Sequence, residues 1–234
     1  MSTSQTQRVA GETEIDVEVD RLGALPVAVL SDTMDKLGIP TAVMSSGIVR
    51  RTGIRMAGRA RTMERDTRPS NVSQQDINPA LASAPTRFID EASPGDVLII
   101  AARGDTSVAC IGDNMSTRCV NVGVAGVVVD GCIRDVETIA ELGLSVFSRG
   151  FSPRSAVGRL VTLSLNEPVI CGGVYVCPGD IIIGDSDGVI VIPKARAAEI
   201  VESAEKLEAN ELKSRAFIEA GNSVADAVAK FKVK

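Results

Sequence analysis

Histidine and tryptophan are absent from this chain of 234 residues, and aromatic side chains are few, five Phe and one Tyr. Without histidine there is no Ser-His-Asp or Cys-His relay, no imidazole base and no His-containing zinc site. Any metal must be held by oxygens or thiolates. The five cysteines (Cys110, Cys119, Cys132, Cys171 and Cys177) are too irregularly spaced for a zinc cluster. Their odd number and mostly apolar settings suit small buried hydrophobes in a reducing compartment, not a disulfide framework. Lys/Arg blocks are also missing, and the formal charge is -5. Direct nucleic-acid binding is not expected, because phosphate contacts and base stacking have little to build on. The apolar runs are strand-sized, far short of the about 20 residues a membrane helix needs. The opening MSTSQTQRVAGETEIDVEVD is polar and lacks the apolar centre of a signal peptide. A cytoplasmic protein without membrane association is expected.

What is present is an ordinary globular composition, 44% hydrophobic and 24% charged, with length enough for one substantial core. Residues 1–11 are polar and expected to be flexible. Residues 25–37 read as an amphipathic helix closed by Gly38 and Pro40. Two strand candidates, IVRRT and IRMAGRARTM, flank Gly53. In the second, the small residues Ala57, Gly58 and Ala60 imply close approach of a neighbouring backbone. RDTRPSNVSQQD (65–76) reads as a polar surface loop, either a holder of specificity residues or a lid, with an inert loop as the plain alternative, and 77–84 reads as a short helical piece. SPGDVLIIA is a tight turn feeding a buried strand, and its chemistry returns at Pro178-Gly179-Asp180. Nothing flanking repeats, so these are two similar turns. Residues 112–122 read as a helix, 144–147 as a short strand and 148–159 as irregular. Between 160 and 192 the chain is strand-rich, with CPGDIIIGDSDGVIVIP forming two strands about an acidic turn. A long charged amphipathic helix follows over 194–220, then a short helix in SVADAVAKF with Ser223 as N-cap. This order predicts one layered α/β domain over 12–221 and a helical tail at 222–234.

GVAGVVVDGCIRD (123–135) carries the most information. Val127, Val128 and Val129 favour a fully buried strand, and Asp130-Gly131 is expected to break it. RDVETIAELG then reads as a short helix, so Arg134 and Asp135 stand at a strand-to-helix junction, where free amides and positive potential favour an anion. An ion pair fastening a loop is the structural alternative. In IGDNMSTRCVNVG, Asp113 precedes a helix whose first amides, around Asn114, Met115 and Ser116, face whatever sits at its N-terminus. Here the plain alternative is a helix cap. The turn Asp185-Ser186-Asp187-Gly188 lacks the later ligands of a calcium loop and reads as a hairpin turn. No dinucleotide fingerprint or phosphate loop is present. Asp113 and Asp135 suit a hard divalent cation held mostly by water and substrate oxygens. A cation with an arginine clamp is what an α-keto acid requires, since together they neutralise its carboxylate and a developing enolate.

On SDTMDKLG, SPGDVLIIAARGDTSVACIGDNMST, GVAGVVVDGCIRD and PGDIIIGDSDGVIVIP the chain resembles the RraA-like proteins. They include class II pyruvate aldolases acting on 4-hydroxy-4-methyl-2-oxoglutarate and 4-carboxy-4-hydroxy-2-oxoadipate. The resemblance spans about residues 25–221 in order and spacing. It implies a swivelling β/β/α-type α/β fold and a trimer or hexamer with its site between subunits. It also implies Mg²⁺ or Mn²⁺ at Asp135, and pyruvate-like oxygens bound by Arg134. Asp113 would order metal-bound water or take part in proton transfer, and the amides of Asn114, Met115 and Ser116 would bind a substrate carboxylate. A glutamate from the neighbouring C-terminal helix approaches the metal in the aldolases; Glu208 and Glu211 both match its place. RDTRPSNVSQQD departs from the family's short PGDN-like stretch. The implied activity is a metal-dependent aldolase releasing pyruvate from a small 4-hydroxy-2-oxo, dicarboxylate-type substrate, with oxaloacetate decarboxylation as a companion reaction. The alternative implied by the same family is a non-enzymatic inhibitor of an RNA-degrading endonuclease.

Overall fold

The computed structural model describes residues 16–233, so the expected flexible segment 1–11 lies outside the described residues. Its helices are α1 (Val17–Gly23), α2 (Val27–Lys36), α3 (Gln74–Ile77), α4 (Ala84–Asp90), α5 (Asp113–Val122), α6 (Val136–Glu141), α7 (Ala197–Glu219) and α8 (Val224–Phe231). The strands are β1 (Val49–Thr52), β2 (Met56–Thr67), β3 (Asp96–Ile111), β4 (Gly126–Ile133), β5 (Val146–Phe151), β6 (Leu160–Leu165), β7 (Val169–Cys171), β8 (Val174–Val176), β9 (Ile181–Gly184) and β10 (Val189–Ile192).

The main sheet runs β1-β5-β4-β3-β2-β9-β10, with β6 paired to the far end of β2. Strands β2, β3, β4 and β5 are mutually parallel, and β1, β6, β9 and β10 join antiparallel. Every residue of β4 is buried, as expected for a parallel strand covered on both faces. Its side chains divide by the period of two. Val127 and Val129 enter one core with Met63, Phe88, Ile100 and Ile139, beneath α4, α5 and α6. Val128 enters another with Ile99, Phe147, Val169 and Val176, beneath the small β7–β8 sheet. The order of layers is therefore hairpin, sheet, helices, the expected β/β/α arrangement. A third core joins Leu22, Leu30, Ile183 and Ile200 where α1, α2 and α7 cover β9 and β10. Helix α8 folds back on α7, with Phe217 and Phe231 edge to face at 5.7 Å.

Several local expectations need correction. Asp130-Gly131 does not end β4, which continues through Ile133. Asp130 is accommodated in the sheet because its carboxylate accepts from the Arg149 guanidinium and from the Gly172 N–H. The segment 65–76 is only partly a loop. Strand β2 extends through Thr67, and Ser73 opens α3 by a reciprocal cap with Asp76. Strand β5 likewise runs on to Phe151, into the stretch expected to be irregular. Helices α1 and α4 were not anticipated. The small-residue inference at Gly58 holds: a Cβ there would lie 2.1 Å from the Gly95 carbonyl oxygen. The two PGD turns are alike in detail, since the Asp96 and Asp180 carboxylates accept from Ser93 and Cys177 N–H groups three residues back.

Candidate active site

Parallel α/β sheets gather ligands at the carboxyl ends of their strands. Here β3 ends at Ile111 and turns through Gly112 into α5, while β4 ends at Ile133 and turns through Arg134-Asp135 into α6. The Arg134 N–H donates to the Ile111 carbonyl, which ties the two turns together. Asp135 adopts φ 56°, ψ 39°, the left-handed region that few residues other than glycine enter. In that conformation its Oδ2 lies 3.1 Å from the Asp113 N–H and 3.3 Å from Arg134 Nε. Asp135 thus satisfies the first free amide of α5 from a neighbouring turn. Asp113 is the first helical residue, not the N-cap, which is Gly112. Gly112 is needed here: a Cβ would sit 2.5 Å from Asp135 Oδ2 and 2.8 Å from Arg134 Nε. Strained backbone held by such contacts is a recurring mark of functional sites.

The pocket at this junction has a volume of about 170 Å³, and Arg65, Cys110, Gly112, Met115, Arg134 and Ala156 are among its walls. Arg134, which lines it, and its neighbour Asp135 are each about two-fifths exposed. Of the amides expected to hold a carboxylate, that of Asn114 donates to Asp113 Oδ1 and that of Ser116 to the Gly112 carbonyl. Among the described residues the Met115 amide keeps no acceptor, and the buried Ser116 hydroxyl has no partner. Asp113, Arg134 and Asp135 are therefore brought together, with Met115 and Ser116 beside them. Glu208 and Glu211 are not. They lie on α7, which packs on α2 and belongs to the other core. Burial, then the charges of Glu208 and Asp32, raises the Glu211 carboxyl above its ordinary range.

Arg65 was not named as a site residue, although it opens the segment 65–76 offered as a holder of specificity residues. It is 6% exposed and lines the pocket from β2. Burial lowers its guanidinium below the usual arginine value. One signal was available: Arg65 has the same strand parity as the core residue Met63, so a strand continuing past Met63 places a charge at an inward position.

The fold and junction together define a layered α/β protein with a small pocket, lined by Arg65 and Arg134, at the carboxyl ends of parallel strands. Comparison with known proteins makes this specific. The chain belongs to the RraA-like family, whose Aldolase/RraA profile matches residues 27–191. It is 38% identical over 156 residues to a Halalkalibacterium halodurans protein that carries the provisional name 4-hydroxy-4-methyl-2-oxoglutarate aldolase. That match covers 62% of this chain and 72% of the relative. The crystal structure of Streptomyces coelicolor RraAS2, described as an unusual member of the RNase ES inhibitor RraA family, is similar with TM-score 0.74 and 31% identity. The similarity covers 88% of this chain and 99% of RraAS2. An uncharacterized protein from Pseudomonas syringae pv. tomato gives TM-score 0.78 at 28% identity, covering 91% and 97% of the two chains. Among the described residues no helix is long and apolar enough to cross a membrane.

Proposed function

We propose that this chain is a divalent-metal-dependent carbon–carbon lyase that cleaves a small 4-hydroxy-2-oxo dicarboxylate to release pyruvate, with oxaloacetate decarboxylation as a second reaction. The supporting observation is the left-handed Asp135, clasped by the Asp113 amide and by Arg134, which with Arg65 lines a small pocket. Similarity to the Halalkalibacterium halodurans protein supports the same chemistry.

The donor set fits Mg²⁺ or Mn²⁺. No group of three or more metal-ligating side chains occurs among the described residues. Magnesium commonly binds through one or two carboxylates and fills its remaining positions with water and substrate. Asp135 has one oxygen engaged and no protein donor to the other among the described residues, so it would hold the ion, with Asp113 beside it. Bound there, the ion would supply Lewis-acid polarisation of the keto oxygen. Arg134 would grip the pyruvate-end oxygens through its planar fork. Asp113 would receive the proton leaving the 4-hydroxyl, directly or through water. The C3–C4 bond then breaks, C4 becomes a carbonyl, and its electron pair passes into the pyruvate enolate, which Arg134 stabilises until C3 is protonated. Pyruvate release should stop on chelation and return with Mg²⁺ or Mn²⁺. Turnover indifferent to thorough chelation would refute this reading.

Assembly belongs to the same proposal. A trimer or hexamer would bring Glu208 or Glu211 of α7 to a neighbour's Asp135. Mixing inactive Asp135→Ala protomers with protomers lacking the relevant glutamate should then restore some turnover. No rescue despite proven subunit exchange would remove these glutamates from the site. A second reading, inhibition of an RNA-degrading endonuclease, is favoured by the similarity to RraAS2. It would prevail if the protein cleaved no 2-oxo acid yet inhibited such an endonuclease in a purified assay.

A further inference from the structure

The arginines of this chain mostly have partners. Arg51 donates to the carbonyls of Ser148 and Arg149, and Arg68 to those of Gly158 and Val72. On β2 itself, Arg59 meets Asp16 and Glu18, and Arg61 meets Glu91. Arg55 has unpartnered nitrogens too, but it is only half-buried and feels the Asp185 carboxylate. Arg65 differs from all of these. It is 94% removed from solvent by its 6% exposure, its Nε has no hydrogen-bond partner, and no carboxylate pairs with it among the described residues.

The titratable group beside it in the pocket wall is the Cys110 thiol, yet burial pushes that thiol up to about 11, so it is uncharged near neutrality. The register shift in the β2–β6 pairing falls on β6, where Leu163 is the extra residue, so β2 keeps its alternation and Arg65 stays on the inward face with Met63. The result is a guanidinium lining a cavity of about 170 Å³ that Arg134 also lines. A buried charge without a protein partner implies that its partner comes from outside. A cavity below the usual range for drug-sized ligands restricts that partner to a small anion.

We propose that Arg65 is a specificity-determining residue that binds a second carboxylate, so that the pocket selects small dicarboxylates by spanning them between Arg134 and Arg65. This deepens the lyase reading and rests on the same site, but it concerns recognition, not bond cleavage. In the proposed reaction the pyruvate-end carboxylate lies with Arg134, and the far carboxylate enters against Arg65. Planar guanidinium forks bind carboxylates in two-point fashion, which a Lys cannot reproduce.

The test is calorimetric titration of protein stripped of divalent cations on a chelating resin, using malonate and succinate against acetate and pyruvate. Arg65→Gln should weaken dicarboxylate binding tenfold or more and change pyruvate binding less than about twofold, and Arg65→Lys should recover part of the loss. Arg65→Met, whose unbranched chain fills the same space, is read in parallel in case Gln is not accommodated. Unchanged dicarboxylate binding in a folded variant, or equal loss for mono- and dicarboxylates, would overturn the proposal. Dicarboxylate binding that depends on Arg65, in a protein that cleaves no 2-oxo acid with metal restored, would leave this inference standing and remove the lyase.

Discussion

Glu64 and Arg65 are neighbours on β2, and they line different cavities. The Glu64 cavity is the larger, about 560 Å³, and lies beside β7 and β8 with Tyr175 and Ile170 at its wall. Its charges are matched. Glu64 meets Arg103 at 2.9 Å, Arg103 also meets Asp66 at 2.8 Å, and buried Asp130 pairs with Arg149. The Arg65 cavity is about 170 Å³, and its buried cation is unmatched. Size would direct attention to the first cavity. Charge balance directs it to the second, because matched charges complete a structure whereas an unmatched one is stable only if something arrives to meet it.

The largest expected effect falls on the smaller cavity. Asp135→Ala and Arg134→Lys should each lower turnover by about 10²–10³-fold while the protein remains folded, the usual cost of removing a group aimed at developing charge. Steady-state pyruvate release with circular dichroism as a folding control decides it. Wild-type turnover in both would reduce the pair to a loop fastener. Next comes the larger cavity. Arg149→Met strands Asp130, whose side chain is 6% exposed, and should cost about 3 kcal/mol in urea unfolding with turnover per folded molecule within about twofold. If turnover instead collapsed while stability held, the site would belong to the larger cavity. Gly112→Ala is a finer probe. Its Cβ would displace Asp135 and Arg134 without removing either, and a loss of up to about 10²-fold is expected. No loss would mean that their placement is unimportant.

Much of this is legible in the sequence. The valine run of β4 and the small residues of β2 specify buried, closely packed strands through local chemistry alone. Arg134, Asp135 and Asp113 were legible as a charged group at two strand-to-helix turns, and in the structure the Asp135 carboxylate meets the Arg134 side chain and the Asp113 backbone amide. What stayed hidden depended on distant partners. Asp130-Gly131 looks like a strand break because its neutralising Arg149 lies on another strand. Arg65 sits in the charged stretch ERDTR, which reads as surface until the continuation of β2 turns it inward. The role proposed for Glu208 and Glu211 would require a second chain, and one sequence carries no direct signal for it.

Helix α1 was hidden for the same reason, and it provides the smallest effect and the closest contrast with Arg65. Its sequence VEVDRLG alternates like a strand, yet Asp16 caps it by accepting from the Val19 N–H at 3.2 Å. Arg59, on β2, grips the same carboxylate through Nε at 2.7 Å and Nη2 at 3.1 Å. The Arg59 guanidinium holds the Asp16 carboxyl below its ordinary range against the opposing effect of burial. A depressed folded value means that this stabilisation is complete above the ordinary carboxylate value of about 3.9 and is lost as pH falls through the folded one. Asp16→Ala should therefore cost about 1 kcal/mol near neutrality, a cap plus a half-exposed ion pair discounted for solvent screening. The gap between variant and wild type should close in strong acid. Urea unfolding at pH 7 and at successively lower pH measures it. A gap independent of pH would assign the whole effect to packing, and Arg59 would then be no better compensated in energetic terms than Arg65.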